Sequence, residues 1–255
     1  MFLTHLKLAF RKLNNEKLYS LINITGLSIG LTCCILIFLY VQDEIKYDKF
    51  QEHGTRIFRL INAHEGSSKH TATHHAPILP AIEKNIPEIE QAARMVLYYD
   101  DKLVSYEENQ YLSDLIYSDP GFFKMFSFDL VKGNPVDILD KPMSAILTKS
   151  MAKKYFGDTD PMGKIITLDN KHNLTVTGIM KNFPEQSHLQ ADIVISYKSM
   201  KKINPYAYSW KMRSPHIYLM TKSNSNPKQL KEKIKDVYMD VKPDYFAEQN
   251  FDLQP

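Results

Sequence analysis

The sequence predicts an α+β protein: a single transmembrane helix followed by an extracytoplasmic mixed α/β subdomain that a strand-rich insertion subdomain interrupts. Three observations carry this expectation. Leu18–Val41 runs 24 residues without a charge. Residues 55–99 and 215–255 each read as strand, helix, strand. Residues 100–198, between them, are dominated by short strands and turn signals.

The elements follow in chain order. In residues 1–17, Phe2 or Leu3, Leu6, Phe10 and Leu13 recur at helical spacing, with Lys7 and Arg11 on another face. That pattern predicts an amphipathic helix on the cytoplasmic face of a membrane. Residues 18–41 then predict the spanning helix. As a helix they reach about 36 Å, against about 30 Å of hydrocarbon. Tyr19 and Tyr40 fall where aromatic belts lie. A cleaved signal peptide would end at a small-residue site, whereas here Ile35–Val41 is followed directly by Gln42-Asp43-Glu44. Residues 1–17 hold four Lys and Arg, and residues 42–58 hold three. This excess places the N-terminus inside and residues 43–255 outside.

In the large domain, residues 55–64 predict a strand, 77–85 a helix and 89–99 a strand. Residues 103–106 and 111–117 form an expected hairpin around Glu107-Glu108-Asn109. A strand over 144–147 leads into a helix over 149–156, stopped by Gly157. A second hairpin joins 164–168 and 174–179, and 191–196 is a further strand. Residues 216–221 predict a strand and 227–241 a helix with Leu230, Ile234, Val237 and Tyr238 in its buried stripe. Residues 250–253 close the pattern. Phe122, Phe123, Phe126, Phe128, Tyr98 and Tyr99 read as core.

Composition excludes several functions. The net charge of +3 resides in residues 1–42, and residues 43–255 balance 28 basic against 28 acidic side chains. A nucleic-acid binder is therefore not expected. The only cysteines, Cys33 and Cys34, lie in the apolar run. GDTDPMGK at 157–164 fails as a phosphate loop. Five residues separate its glycines, Lys164 precedes Ile165, and its context is helix-to-strand rather than strand-to-helix. It predicts a tight turn. His70, His74 and His75 carry metal-ligating groups, but their polar surroundings predict a solvated loop. No catalytic signature appears, and neither a metal nor a cofactor is expected.

One feature of the apolar run calls for a partner. Asn23, Gly26, Gly30 and Cys33 or Cys34 share one helical face, with Thr25, Ser28 and Thr32 adjoining. Glycine costs roughly 1 kcal/mol per helical site, and small residues let another helix approach closely. The pattern predicts a transmembrane packing seam.

The ordered motifs NITGLSIGL, YDKF, RIFRL, GFFKMFSFDLVKGNP, AILTKSMAKKYFGDTDPMGK and TVTGIMKNFPEQSHLQADIVIS resemble the MacB/FtsX-like ABC transporter permeases, over nearly the whole chain. The resemblance implies a periplasmic core of two subdomains, a cytoplasmic ABC ATPase partner, a dimer with a second permease copy, and room for a periplasmic adaptor. It implies residence in the bacterial inner membrane and coupling of ATP hydrolysis to periplasmic motion for export or efflux. Family members have four spans, three of them after the periplasmic domain. The resemblance therefore implies the N-terminal part of a permease, with the remaining transmembrane helices absent after FDLQP. A membrane-anchored sensor or binding module without catalytic activity is the alternative from another class.

Overall fold

The computed structural model describes residues 4, 5, 8, 11, 15–64, 70–135, 137–243 and 249–254. Most of the amphipathic stretch over 1–17 lies outside them. The chain divides into two units, Met1–Tyr47 and Asp48–Pro255.

The first unit contains helix α1 (Lys17–Lys46), 30 residues long and with none of them buried. It is about 45 Å long and apolar enough to cross a membrane. The uncharged run sits inside it, with Lys17 before the run and the charged turn Asp43–Lys46 after it.

The second unit is built on one twelve-stranded sheet among the described residues. Its strands are β1 (Ile57–His64), β2 (His70–Thr71), β3 (Thr73–His75), β4 (Ile89–Tyr106), β5 (Asn109–Ser118), β6 (Leu130–Lys132), β7 (Ser144–Thr148), β8 (Ile165–Leu168), β9 (His172–Met180), β10 (Ile193–Ser196), β11 (Arg213–Thr221) and β12 (Gln249–Gln254). The main path runs β12-β1-β11-β4-β5-β10-β7-β9-β6. β10 lies parallel to β5, and β7 lies parallel to β9. The helices are α2 (Ile78–Asn85), α3 (Phe122–Met125), α4 (Lys149–Phe156), α5 (Met200–Ile203) and α6 (Pro227–Val241).

The alternation of strand side chains sorts the core into three clusters. On one sheet face, Leu60, Ala92, Ile217 and Leu219 lie under α2 and α6, which contribute Ile78, Ile82, Leu230 and Ile234. Farther along the same face, Val96, Leu115, Leu147 and Val176 lie under Met151 and Tyr155 of α4. On the opposite face, Ala93, Met95, Ile116 and Tyr218 are covered by Phe122, Phe126, Phe128 and Phe183. The expected aromatic core is there for the phenylalanines, with Phe123 half-buried at its edge.

Caps set the helix limits. Asn226 accepts from the Lys228 N–H ahead of Pro227, and Gly157 ends α4 at φ 59°. GDTDPMGK is a turn: Gly163 takes φ 74°, and its N–H donates to the Val176 carbonyl.

Two local expectations are corrected. The strands expected over 89–99 and 103–106 are one strand, β4, whose register against β5 shifts between Tyr98 and Lys102. A bulge absorbs the polar Asp100-Asp101 without ending the pairing. The solvated loop expected at His74 and His75 is instead strand β3, and both side chains are buried. The His74 ring lies 2.9 Å from the Leu60 carbonyl through Nε2 and 2.8 Å from the Tyr238 hydroxyl through Nδ1. Nε2–H donates and Nδ1 accepts, so both ring nitrogens are satisfied in the neutral form. A polarity pattern does not reveal such a pairing, because Leu60 and Tyr238 are remote in sequence. The side chain of His70 lies outside the description.

Arg94 is the one charge of β4 set between the two helix-covered clusters. Its Nε and Nη2 donate to the two oxygens of Asp119 at 2.7 and 3.0 Å, and its backbone N–H donates to the same carboxylate at 2.9 Å. The guanidinium lies over Tyr197 at 4.5 Å and Tyr208 at 5.0 Å. Both charged side chains are nearly buried, at 12% and 11% exposure.

Two predictions follow from these contacts. Asp119→Ala strands a buried guanidinium and should cost about 3–5 kcal/mol in urea unfolding. Arg94→Lys should not rescue stability, since an ammonium cannot make the planar double contact. Burial holds the His74 pKa down to about 3, from 6.5. The unfolded chain then binds more protons below pH 6.5, so stability is full above that pH and falls as pH drops toward 3. Between pH 6.5 and 5 the loss should be about 2 kcal/mol, and the difference in slope from a His74→Gln variant isolates it.

Candidate functional site

The predicted seam residues are on the first unit. Asn23, Gly26, Gly30, Cys33 and Cys34 all lie on α1 and are exposed. A Cβ built at Gly26 or Gly30 meets no atom within 4 Å. The two threonine hydroxyls serve their own helix: Thr25 donates to the Leu21 and Ile22 carbonyls, and Thr32 to the Ser28 carbonyl. Both are satisfied without a neighbour.

The second unit has a site that sequence reasoning missed. Its first residues, Asp48–Glu52, follow α1 within a few positions and are fastened to loops remote in the chain. Asp48 takes φ 54°, which Asp tolerates better than most side chains. Its N–H donates to the Gln186 carbonyl at 2.8 Å. Its carboxylate accepts from the His188 backbone N–H at 3.2 Å and from the ring Nδ1–H at 2.6 Å. That second bond fixes the tautomer, so Nε2 accepts from the Tyr218 hydroxyl at 3.2 Å. Gln51 Oε1 accepts from the Ser127 N–H at 2.7 Å, and the Glu52 N–H donates to Ser127 Oγ at 3.0 Å. Phe50 packs against Phe128, ring centres 5.8 Å apart, and Phe128 in turn meets Phe183 at 4.7 Å. Behind the segment, Arg56 donates to the Thr221 carbonyl at 3.1 Å and to Glu90.

This latch gathers three of the sequence motifs. Asp48 belongs to YDKF, Ser127 to GFFKMFSFDLVKGNP, and His188 to TVTGIMKNFPEQSHLQADIVIS. The sequence signal was the resemblance these motifs carry; their convergence was not visible in it, because Asp48 and His188 are 140 residues apart.

Two clefts flank the latch. One, of about 470 Å³, is lined by Phe50, Phe123, Phe126 and Phe128 with Lys124 and Lys181. The other, of about 250 Å³, is lined by Asp48, Gln51, Arg59, His188, Tyr218 and Gln254. Gln51 leaves Nε2 buried and without a hydrogen-bond partner there. Among the described residues no group of three His, Cys, Asp or Glu side chains is placed to hold a metal. The latch holds and positions; its groups are bonded to one another.

A helix of membrane-crossing length leading into a mixed α/β domain defines a class: membrane-anchored proteins with a folded core domain. Residues 20–237 match the MacB-like periplasmic core domain family, and the chain belongs to that family. Three solved structures share the fold. A domain named for a permease protein of Porphyromonas gingivalis is 22% identical, covering 80% of this chain and 92% of its own, with TM-score 0.68. The extracellular domain of the noncanonic ABC-type transporter YknZ from Gram-positive bacteria is 16% identical, covering 78% and 100%, with TM-score 0.58. The periplasmic region of MacB from Actinobacillus actinomycetemcomitans is 13% identical, covering 79% and 89%, with TM-score 0.56. No curated protein matches the chain.

The latch makes a local prediction. Asp48→Asn keeps a residue suited to φ 54° but removes the charge, and Gln51→Ala removes the acceptor for Ser127. Together they should speed amide exchange across residues 48–56 at least about tenfold, equivalent to about 1.4 kcal/mol. Exchange in the β4–β5–β10 core should not change. Mass-spectrometric hydrogen exchange reads both.

Proposed function

We propose that this chain is a permease subunit of a MacB/FtsX-type ABC transporter. It couples ATP hydrolysis by a cytoplasmic partner ATPase to motion of the extracytoplasmic domain, for export or efflux. The observation that carries the reading is the latch. Residues 48–52 are held by hydrogen bonds with Gln186, His188 and Ser127 and by the Phe50–Phe128 contact. A displacement of the chain leaving the spanning helix is thereby passed to loops next to β6 and β10 rather than lost in a slack linker. Membership in the MacB-like family supports the same reading.

In this reading α1 crosses the bacterial inner membrane with its N-terminus cytoplasmic. The seam of Asn23, Gly26, Gly30, Cys33 and Cys34 meets a second permease copy or further spans. Residues 55–99 with 215–255 act as one subdomain and 100–198 as another. The sheet order supports that division, since β12, β1 and β11 lie to one side of β4 and β5, β10, β7 and β9 to the other.

A second reading, a membrane-anchored binding module, draws on the two clefts beside the latch. Purification of the chain from its own membranes in mild detergent separates the two. Copurification of an orthovanadate-sensitive ATPase supports the permease. A chain that purifies without ATPase activity favours the binding module.

The seam has its own test. Gly26→Leu with Gly30→Leu should leave membrane insertion intact while reducing disulfide crosslinking through Cys33 and Cys34 several-fold. Unchanged crosslinking would count against a packing surface.

A further inference from the structure

The excursion between β10 and β11 carries an unusual charge. From Tyr197 through Arg213 stand five basic residues and no acidic one, in a domain whose 28 basic and 28 acidic side chains balance overall. Lys198 is paired with Asp140, and Asp119 is taken by Arg94. Lys201, Lys202 and Lys211 are exposed, and so is Lys242, which lies 5.7 Å over the Trp210 ring. Among the described residues none of these four lysines has a carboxylate partner, nor does Arg213, which bonds Thr71 and Thr73 instead. Tyr206, 58% exposed, stands within the same excursion. His75, whose ring lies 5.6 Å from Trp210, is held down to about 4 by burial, with Arg213 and Lys242 acting in the same direction.

The position of this patch within the domain bears on what it meets. Arg56 of the lead-in segment bonds Thr221 at one end of β11, and Arg213 begins β11 at the other. Nine strand residues put about 30 Å between those ends. α6 leaves the Thr221 end and returns to place Lys242 against Trp210. The patch is therefore at the end of β11 remote from the chain that joins the spanning helix. Its unpaired cations complement a carboxylate-rich chain of a partner protein.

We propose that Lys201, Lys202 and Lys211, with Tyr206 among them, form a docking surface for an acidic polypeptide segment of a partner protein. The inference rests on surface charge and goes beyond the transport reading. Clustered cations attract carboxylate-rich chains over a Debye length of about 8–10 Å and speed their association. The exposed tyrosine adds apolar contact at little entropic cost.

The test uses the full chain in phosphatidylcholine nanodiscs and a fluorescein-labelled decaglutamate peptide, read by fluorescence anisotropy. Binding should weaken at least tenfold in a Lys201→Gln, Lys202→Gln, Lys211→Gln variant and return when the same positions are Arg. Removing equal charge elsewhere, with Lys164→Gln, Lys171→Gln and Lys228→Gln, should change it less than threefold. Equal losses in the two triple variants would overturn the proposal. So would binding of phosphatidylglycerol vesicles, abolished by the first variant, in the absence of any peptide binding.

Discussion

Strand β4 is the constraint on which the second unit depends. Its eighteen residues pair with β11, β5 and β8, and every core cluster includes side chains from it. Because strand side chains alternate, Ala92 and Val96 serve the helix-covered face, and Ala93 and Met95 serve the phenylalanine face. Arg94 falls on the helix face, where the cover of α2 and α6 gives way to that of α4. An unpaired charge there would be costly. Asp119 and the tyrosine pair Tyr197 and Tyr208 turn it into a connection between elements that otherwise pack on separate clusters.

The latch depends on the same sheet. Tyr218, which completes the Asp48–His188 chain, is held on β11 opposite Ala93. Phe126 and Phe128 cover Ala93 and Met95 and carry Ser127 between them. The groups that grip the lead-in segment are thus fixed from below by strand pairing and from the side by aromatic packing. Hydrogen bonds of this kind contribute little net stability individually. Their value here is geometric, since several of them on five consecutive residues leave the segment little freedom to move alone.

Neutral histidine serves a related purpose at the opposite end of β11. His74 joins β1 to α6 through Leu60 and Tyr238. It does so only while uncharged, and the nearby Arg213 helps keep it so. Burial is the larger cause, and Arg213, His216 and His75 act in the same direction.

Much of this protein was legible in the residues themselves. The uncharged run of α1, the stripe Leu230–Ile234–Val237–Tyr238 of α6, the Gly157 stop and both hairpins follow from local rules of length, period and turn chemistry. Those rules act over a few neighbouring positions, so a sequence suffices to apply them. The bulge that carries β4 past Asp100-Asp101, the burial of His74 and the union of Asp48 with Gln186 and His188 were decided only by the tertiary structure. In each case the deciding partner lies far along the chain or on another strand. A polar residue reads as exposed until the fold supplies the group that satisfies it.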